Sequence, residues 1–469
     1  MSFISQGTGY LFLVIFGIVM FLITYFFSRS NKTKEGFILS NRKVGWFVGG
    51  ASIAASWIWA PALFVSVQMA YQKGLAGIFW FTLPNVVALL IFAFFAPKIR
   101  EKFSEGYTLP QYIKNKLKSE SVHKIYLFPY FFYQLMAVAV QLFAGGSLVS
   151  LLTGIPLIPV MIILSLITLS YTLFSGFSAS VTTDFIQLAF IFIAGIILIP
   201  LVLIKVGGFS VMNFLGIENI SSILDPGVAF SFGIVTAIGL IAGAIADQQY
   251  WQRSFAIKKE DLRKAFIFGG ILFALVPISL SLLGFLSANA SLGIVLSEGV
   301  DVSMIGVQAV AIILPSWAVV LFVVMLLSGL ASTLDSGLSA TSSLWVTDVV
   351  QNRTEKSTIK SARLSMVGIT IIGFIIALLT YYIPNFGLTQ LWWIFNTIAA
   401  CVMVPTILSL YWDRLTAKGV YWGVLISFII GIPLFIYSNI INNSVWIVVS
   451  SLLVVGISTF FCVLFSSRR

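Results

Sequence analysis

Two stretches of this sequence gather groups that could hold a cation. The first is Ser328-Gly329-Leu330-Ala331-Ser332-Thr333-Leu334-Asp335-Ser336. Residues three and four apart share a helix face, so Gly329, Ser332, Thr333 and Ser336 can line one side of a helix. A hard cation such as Na+ takes oxygen ligands. This run offers hydroxyls, a carboxylate and, at Gly329, room for close backbone approach. The same small residues also serve ordinary helix packing in a membrane, so both readings stay open. The second stretch is Ala54-Ala55-Ser56-Trp57-Ile58-Trp59-Ala60-Pro61. Pro61 has no N–H to donate, so a helix should open over the turn before it. Carbonyls from about Ala55 to Ile58 would then be free, or the helix would merely kink. Three carboxylates, Asp184, Asp247 and Asp335, fall within or at the edge of apolar runs. Asp247 is expected near a wet end, Asp184 and Asp335 deeper. No Lys or Arg is expected inside these runs to pair with them. A buried carboxylate without such a partner must be protonated or hold a cation; hydrogen bonding within a helix bundle is the plainer alternative.

What surrounds these groups is almost all apolar. Of 469 residues, 59% are hydrophobic and only 9% charged, with a mean hydropathy of +1.04. Soluble domains carry about 25% charged residues, so this composition suits an all-α membrane protein. A membrane helix needs about 20 apolar residues. About thirteen candidate spans meet that: 8–27, 45–71, 75–97, 124–152, 156–174, 179–204, 229–250, 264–290, 316–349, 364–383, 387–412, 419–438 and 444–466. No basic residue precedes the first, which is expected to be a retained helix rather than a cleaved leader. The amphipathic stretch 291–315 is expected to hold a short helix outside the membrane. No intervening stretch is long enough for a soluble domain, so residues 1–469 form one transmembrane unit. Of 27 Lys and Arg residues, all but Lys73 and Lys205 are expected on one side when the loops are numbered alternately. The positive-inside rule then sets the N-terminus outside and the C-terminus in the cytoplasm, as expected for a multi-pass protein of the cell membrane. It also accounts for the net charge of +11 without nucleic acid. Cys401 and Cys462 both lie in apolar runs, which argues against a disulfide framework, and a lone His123 excludes a His-rich metal site. No nucleophile, base or metal cluster suggests an enzyme.

Three further segments carry a resemblance. They are Tyr171-Thr172-Leu173-Phe174-Ser175-Gly176-Phe177-Ser178-Ala179-Ser180-Val181-Thr182-Thr183-Asp184-Phe185-Ile186-Gln187, Asp247-Gln248-Gln249-Tyr250-Trp251-Gln252-Arg253, and Gly106 to Ile113 with Thr108-Leu109-Pro110. With them the chain resembles the sodium:solute symporter family from about residue 33 to 425. The resemblance implies a LeuT-like fold of two inverted five-helix repeats, at 45–205 and 229–412, with an extra helix at 8–27 and two more at 419–466. The first helix of each repeat, 45–71 and 229–250, would be unwound. The resemblance also implies Na+ as the coupling ion, held by carbonyls of Ala55, Ile58 and Gly329 and hydroxyls of Ser332 and Thr333. Asp184, Asp335 and Ser336 would form a second cation or proton site. Ala55 to Ala60, Ala70-Tyr71-Gln72-Lys73-Gly74 and Leu391 to Trp412 look most like the urea-transporter branch.

The expected activity is Na+-coupled symport of a small neutral or zwitterionic solute by alternating access, with the membrane potential adding about 2.3 kcal/mol per charge per 100 mV. Solute should bind between the broken helices. Candidate liners are Trp57, Trp59, Gln68, Trp80, Asn85, Gln134, Gln141, Trp392, Trp393 and Asn396, aromatic faces and amides that suit a neutral solute. Rivals are a carrier taking its proton on Asp184 or Asp335, a sugar, sialic acid or proline symporter, and a solute channel.

Overall fold

The computed structural model describes residues 3–27, 33–350, 354–383 and 386–467. The basic residues Arg29, Lys32, Arg353, Arg468 and Arg469 lie outside them. Among the described residues the only β contact is an isolated bridge between Val44 and Ile257. Twelve helices are long and apolar enough to cross a membrane. They are α1 (Gln6–Phe27), α3 (Pro61–Lys102), α4 (Glu120–Thr153), α5 (Leu157–Ser175), α6 (Phe177–Val206), α7 (Pro226–Ala246), α9 (Leu262–Ser287), α10 (Ser316–Val349), α11 (Glu355–Tyr381), α12 (Leu388–Tyr411), α13 (Ala417–Ile440) and α14 (Ser444–Leu464). Two half-length helices, α2 (Trp46–Trp57) and α8 (Gln248–Ala256), complete the set. The stretch expected outside the membrane holds a short apolar helix, Val302–Ile313.

Among the described residues these helices suffice, by length and composition, for about thirteen crossings, because α3 turns back on itself. Gly74 has φ 58° and ψ −141°, a conformation that an L side chain resists. Around it the loop 213–218 ties off the bend, with Leu75 N–H on Phe214 O and Ile217 N–H on Tyr71 O, both 2.9 Å. Helix α9 reads the reversal. Its Gly269 faces Ile53 and its Gly284 faces Val67 and Ala70, whereas Gly270 faces Leu89 and Arg263 stacks on Phe94. Residues 46–73 therefore run with α9 and residues 75–102 against it. Glycines on α9 let the three chains approach closely.

Burial sorts the helices. In α10 every residue from Met325 to Leu344 is buried, and so is all of α8. The rim of the bundle carries apolar side chains outward, Ile196 (73% exposed) and Ile204 (76%) among them. Water would not tolerate such a surface and lipid requires it. The two buried half-helices are the unusual elements. From Val44 to Ile58 the chain climbs about 20 Å from the lysine-rich end, and from Ile257 back to Asp247 about 15 Å, at 1.5 Å per residue. Both breaks thus lie near mid-depth. That corrects two expectations. Asp247 is not at a wet end: it is 3% exposed and its carboxylate caps α8 through Gln249 N–H at 2.8 Å. Arg253 is not a loop residue: it is 1% exposed and lies inside the bundle.

Candidate functional site

The first break is built by donors that go elsewhere. In a continuous helix the Ser56 and Trp57 carbonyls would accept from residues 60 and 61. Ala60 N–H instead donates to Gln141 Oε1 of α4 at 2.9 Å, and Pro61 has no N–H. Ile58 leaves helical geometry with ψ 67°. Helix α10 packs against this opening. A Cβ on Gly329 would sit 3.0 Å from Ile58 O, so only glycine lets the two backbones meet. Thr333 Oγ1 donates to Ser56 O at 3.2 Å and lies 3.4 Å from Gly329 O. Ile58, Gly329 and Thr333 therefore converge, together with the Ser56 carbonyl, which the sequence reading did not single out. The Ala55 carbonyl accepts Ile58 N–H at 3.2 Å and keeps a second lone pair. Ser332 points away from the break, its Oγ donating to Asp184 Oδ1 at 2.6 Å. The groups around the break are all oxygens, the donor type a hard cation takes.

Beside them Asp184 and Asp335 are fully buried, but the expectation that no arginine pairs with them is wrong. Arg253 of α8 donates from Nη2 to Asp184 Oδ2 at 2.7 Å and to Ser336 Oγ at 2.7 Å. Its Nε meets Ser52 Oγ at 2.9 Å and its Nη1 meets Gln249 O at 3.1 Å. Asp184 also takes Ser52 Oγ–H at 2.5 Å. Asp335 is held by hydroxyls alone: Ser180 at 2.6 Å, Tyr171 at 3.1 Å and Thr183 at 3.2 Å. A hidden signal existed in the sequence. Gln248, Gln252 and Arg253 alternate with Tyr250, Trp251 and Phe255, a pattern of a buried polar helix rather than of a loop.

Between the two breaks lies a packed aromatic cluster. Trp57 and Trp59 stack at 5.1 Å, Tyr250 meets Trp57 edge-on at 5.1 Å, and Phe395 and Trp392 meet Trp59 at 5.0 and 6.2 Å. Tyr133 lies 4.0 Å from Phe395. Glycines 239 and 243 of α7 clear space for Asn396 and the Tyr133 hydroxyl. Among the described residues, Trp57 Nε1, Trp59 Nε1, Trp392 Nε1, Gln141 Nε2, Tyr133 Oη, Tyr250 Oη and Asn396 Oδ1 are buried without a hydrogen-bond partner; so is Gln249 Oε1, on a side chain whose Nε2 reaches Gln134 Oε1 at 3.5 Å. Buried polar atoms are nearly always satisfied, so such a concentration marks a place where a polar guest belongs. Both donors and acceptors are among them, and no Lys or Arg is.

Of the expected liners, Trp57, Trp59, Gln141, Trp392 and Asn396 meet here. Gln134 lies toward the lysine-rich end, donating to Asp247 Oδ1 at 2.9 Å. Trp80 packs on Gly233, and Asn85 turns back to Phe81 O at 2.8 Å. Trp393 faces Phe232 beside a separate groove with Lys73 and Glu218. Gln68 accepts from Thr389 Oγ1 at 3.0 Å. That pair forms part of the wall of a cavity of about 1070 Å³ with Gln72, Ser147, Asp301 and Gln390, at the lysine-poor end. Tyr133, Tyr250, Phe395 and Gln249 were missed. Phe395 is one residue before Asn396, and Tyr133 lies two turns before Gln141, but apolar neighbours on a buried helix give no sign of which faces a guest.

Known proteins share this chain's sequence pattern and fold. The model of the sodium:solute symporter family matches residues 37–427. A probable urea active transporter 1 of Schizosaccharomyces pombe is 23% identical over 58% of this chain and 44% of its own length. The urea-proton symporter DUR3 of Oryza sativa subsp. japonica is 22% identical over 92% of this chain and 66% of its own. A sodium/glucose cotransporter of Vibrio parahaemolyticus is 24% identical over 91% and 85%. The chain thus spans about half to two thirds of the length of the urea relatives. Among solved structures, a substrate-bound outward-open Na+-coupled sialic acid symporter superposes with a TM-score of 0.78 at 16% identity, covering 98% of each chain. That likeness shows the fold, a LeuT-like helical core.

Proposed function

Because the chain belongs to the sodium:solute symporter family, a family of multi-pass transporters and not of enzymes, we propose that it couples Na+ entry to uptake of a small, planar, neutral amide, with urea as the first candidate. The observation that carries the substrate class is the aromatic cluster's set of unpartnered atoms. Indole and amide N–H groups of Trp57, Trp59, Trp392 and Gln141 would donate to a guest's carbonyl oxygen, and Asn396 Oδ1 would accept from its amide N–H. Among the described residues, no guanidinium or ammonium belongs to this set of unpartnered atoms, and Arg253 is committed to Asp184. The names of the urea relatives support the same class.

Sodium sits, in this reading, at Ala55, Ser56, Ile58, Gly329 and Thr333, where free carbonyls and a hydroxyl converge next to Trp57. Ion and solute then share the Ser56–Trp59 segment. Filling one orders the other, which is how linkage couples them. Solute enters from the 1070 Å³ cavity, past the Gln68–Thr389 hydrogen bond. The repeats are those expected at 45–205 and 229–412, with the N-terminus outside and the lysine-rich end in the cytoplasm. A proton in place of Na+ is the second reading. It rests on Asp335, which among the described residues has hydroxyl partners and no cation within ion-pair distance.

Counterflow in proteoliposomes tests the substrate class. Preloaded urea should exchange for external labelled urea and for small amides. Preloaded glucose or sialic acid should not. Exchange with the sugars and none with urea would overturn the reading.

A further inference from the structure

Seven oxygen-bearing side chains enclose one buried pocket between α2, α6 and α10: Ser52, Ser56, Ser180, Ser332, Ser336, Asp184 and Asp335. By chemistry alone this is a cation pocket, with two carboxylates and five hydroxyls. A guanidinium already stands in it. Arg253 reaches in from α8, and its Nη2 bridges Asp184 and Ser336 while its Nε takes Ser52. The arginine is anchored at its other end by Gln249 O, and its plane lies over the Phe177 ring at 5.6 Å. Four hydrogen bonds and 1% exposure leave it no solvent to exchange into. A second metal cation at Asp184 would meet this charge at contact distance, where like charges in a low-dielectric interior repel strongly. An arginine keeps its proton under all ordinary conditions, so the pocket cannot be vacated by deprotonation.

We infer that Arg253 is the built-in cation of this pocket, so the chain binds one Na+ rather than two. The site that the family resemblance implied at Asp184, Asp335 and Ser336 does not fit a metal ion in this chain. Arg253 is a positioning residue: it holds the Asp184 face of α6 and the Ser336 face of α10 against α8, and it leaves the break at Ile58 as the sole sodium position. The inference rests on the symport reading above.

Equilibrium binding of radiolabelled Na+ to the full chain in lipid nanodiscs tests it. The native chain should bind about one Na+, and Arg253→Gln should bind about two, because the freed pocket is acidic and lined with hydroxyls. Adding Asp184→Asn to Arg253→Gln should return the count to about one. If Arg253→Gln fails to fold, Asp184→Asn alone decides the matter, since its side-chain carbonyl still accepts from Arg253 and the count should stay at one. Two Na+ on the native chain, or loss of one in Asp184→Asn, contradicts the inference and leaves symport standing. No Na+ on either the native chain or Arg253→Gln overturns both.

Discussion

The proposed sodium position turns on Thr333, whose hydroxyl reaches the Ser56 carbonyl at 3.2 Å and lies 3.4 Å from Gly329 O. Thr333→Ala should raise the Na+ concentration for half-maximal uptake about tenfold, the effect of losing one oxygen ligand at roughly 1–1.5 kcal/mol. An unchanged Na+ curve would move the ion elsewhere. Gln141 has a structural duty as well. Gln141→Leu strands the buried Ala60 N–H and should cost about 1–3 kcal/mol of stability, read as a lower melting temperature. Gln141→Glu keeps the acceptor and should spare most of it. At this scale the sequence was legible where chemistry is rare. Gly329, Thr333 and the 55–58 turn stand out because hydroxyls, free carbonyls and proline are unusual in apolar runs. The Ser332 hydroxyl goes to Asp184, a partner that spacing along a helix, which gives only a face, does not name. Arg253 was misplaced because a polar heptapeptide beside a basic loop looks like the loop's beginning; its partners Asp184 and Ser52 are 69 and 201 residues away.

The breaks and the reversal are element-level devices. Pro61 stands at the first position of the second half-helix, where proline is well tolerated, and denies Trp57 O a partner. Pro61→Ala supplies that donor and favours a continuous helix. It should reduce Na+-driven uptake several-fold without lowering thermal stability; loss of both together would mean that proline is only structural. At the far end of the same segment, Gly74 at φ 58° is packed against Phe214 O. Gly74→Ala should lower the yield of folded protein. Hydropathy separated the spans 45–71 and 75–97 at Gln72 and Lys73, and the chain reverses beside them at Gly74. The second break was expected within 229–250, and the chain opens at Asp247, with α8 carrying on to Ala256. Hydropathy stops at polar residues even when they are buried, so the polar half-helix was cut short.

For the whole molecule, orientation and coupling are the open quantities. The lysine count predicts that Ser222→Cys, exposed at the lysine-poor end, reacts with a membrane-impermeant maleimide on intact cells, and that Lys258→Cys reacts only after permeabilisation. The reverse pattern would invert the transport direction assigned here. Cys401 and Cys462 are both buried, so background labelling should be low. The account's central claim, that sodium flow drives entry of a small amide, is tested most directly by uptake of labelled urea into proteoliposomes with internal and external pH clamped equal. Under an inward Na+ gradient urea should accumulate above its external concentration and leak back when the gradient is collapsed. Accumulation that ignores Na+ and follows an imposed acid-outside gradient would contradict the sodium claim and install the proton at Asp335 instead.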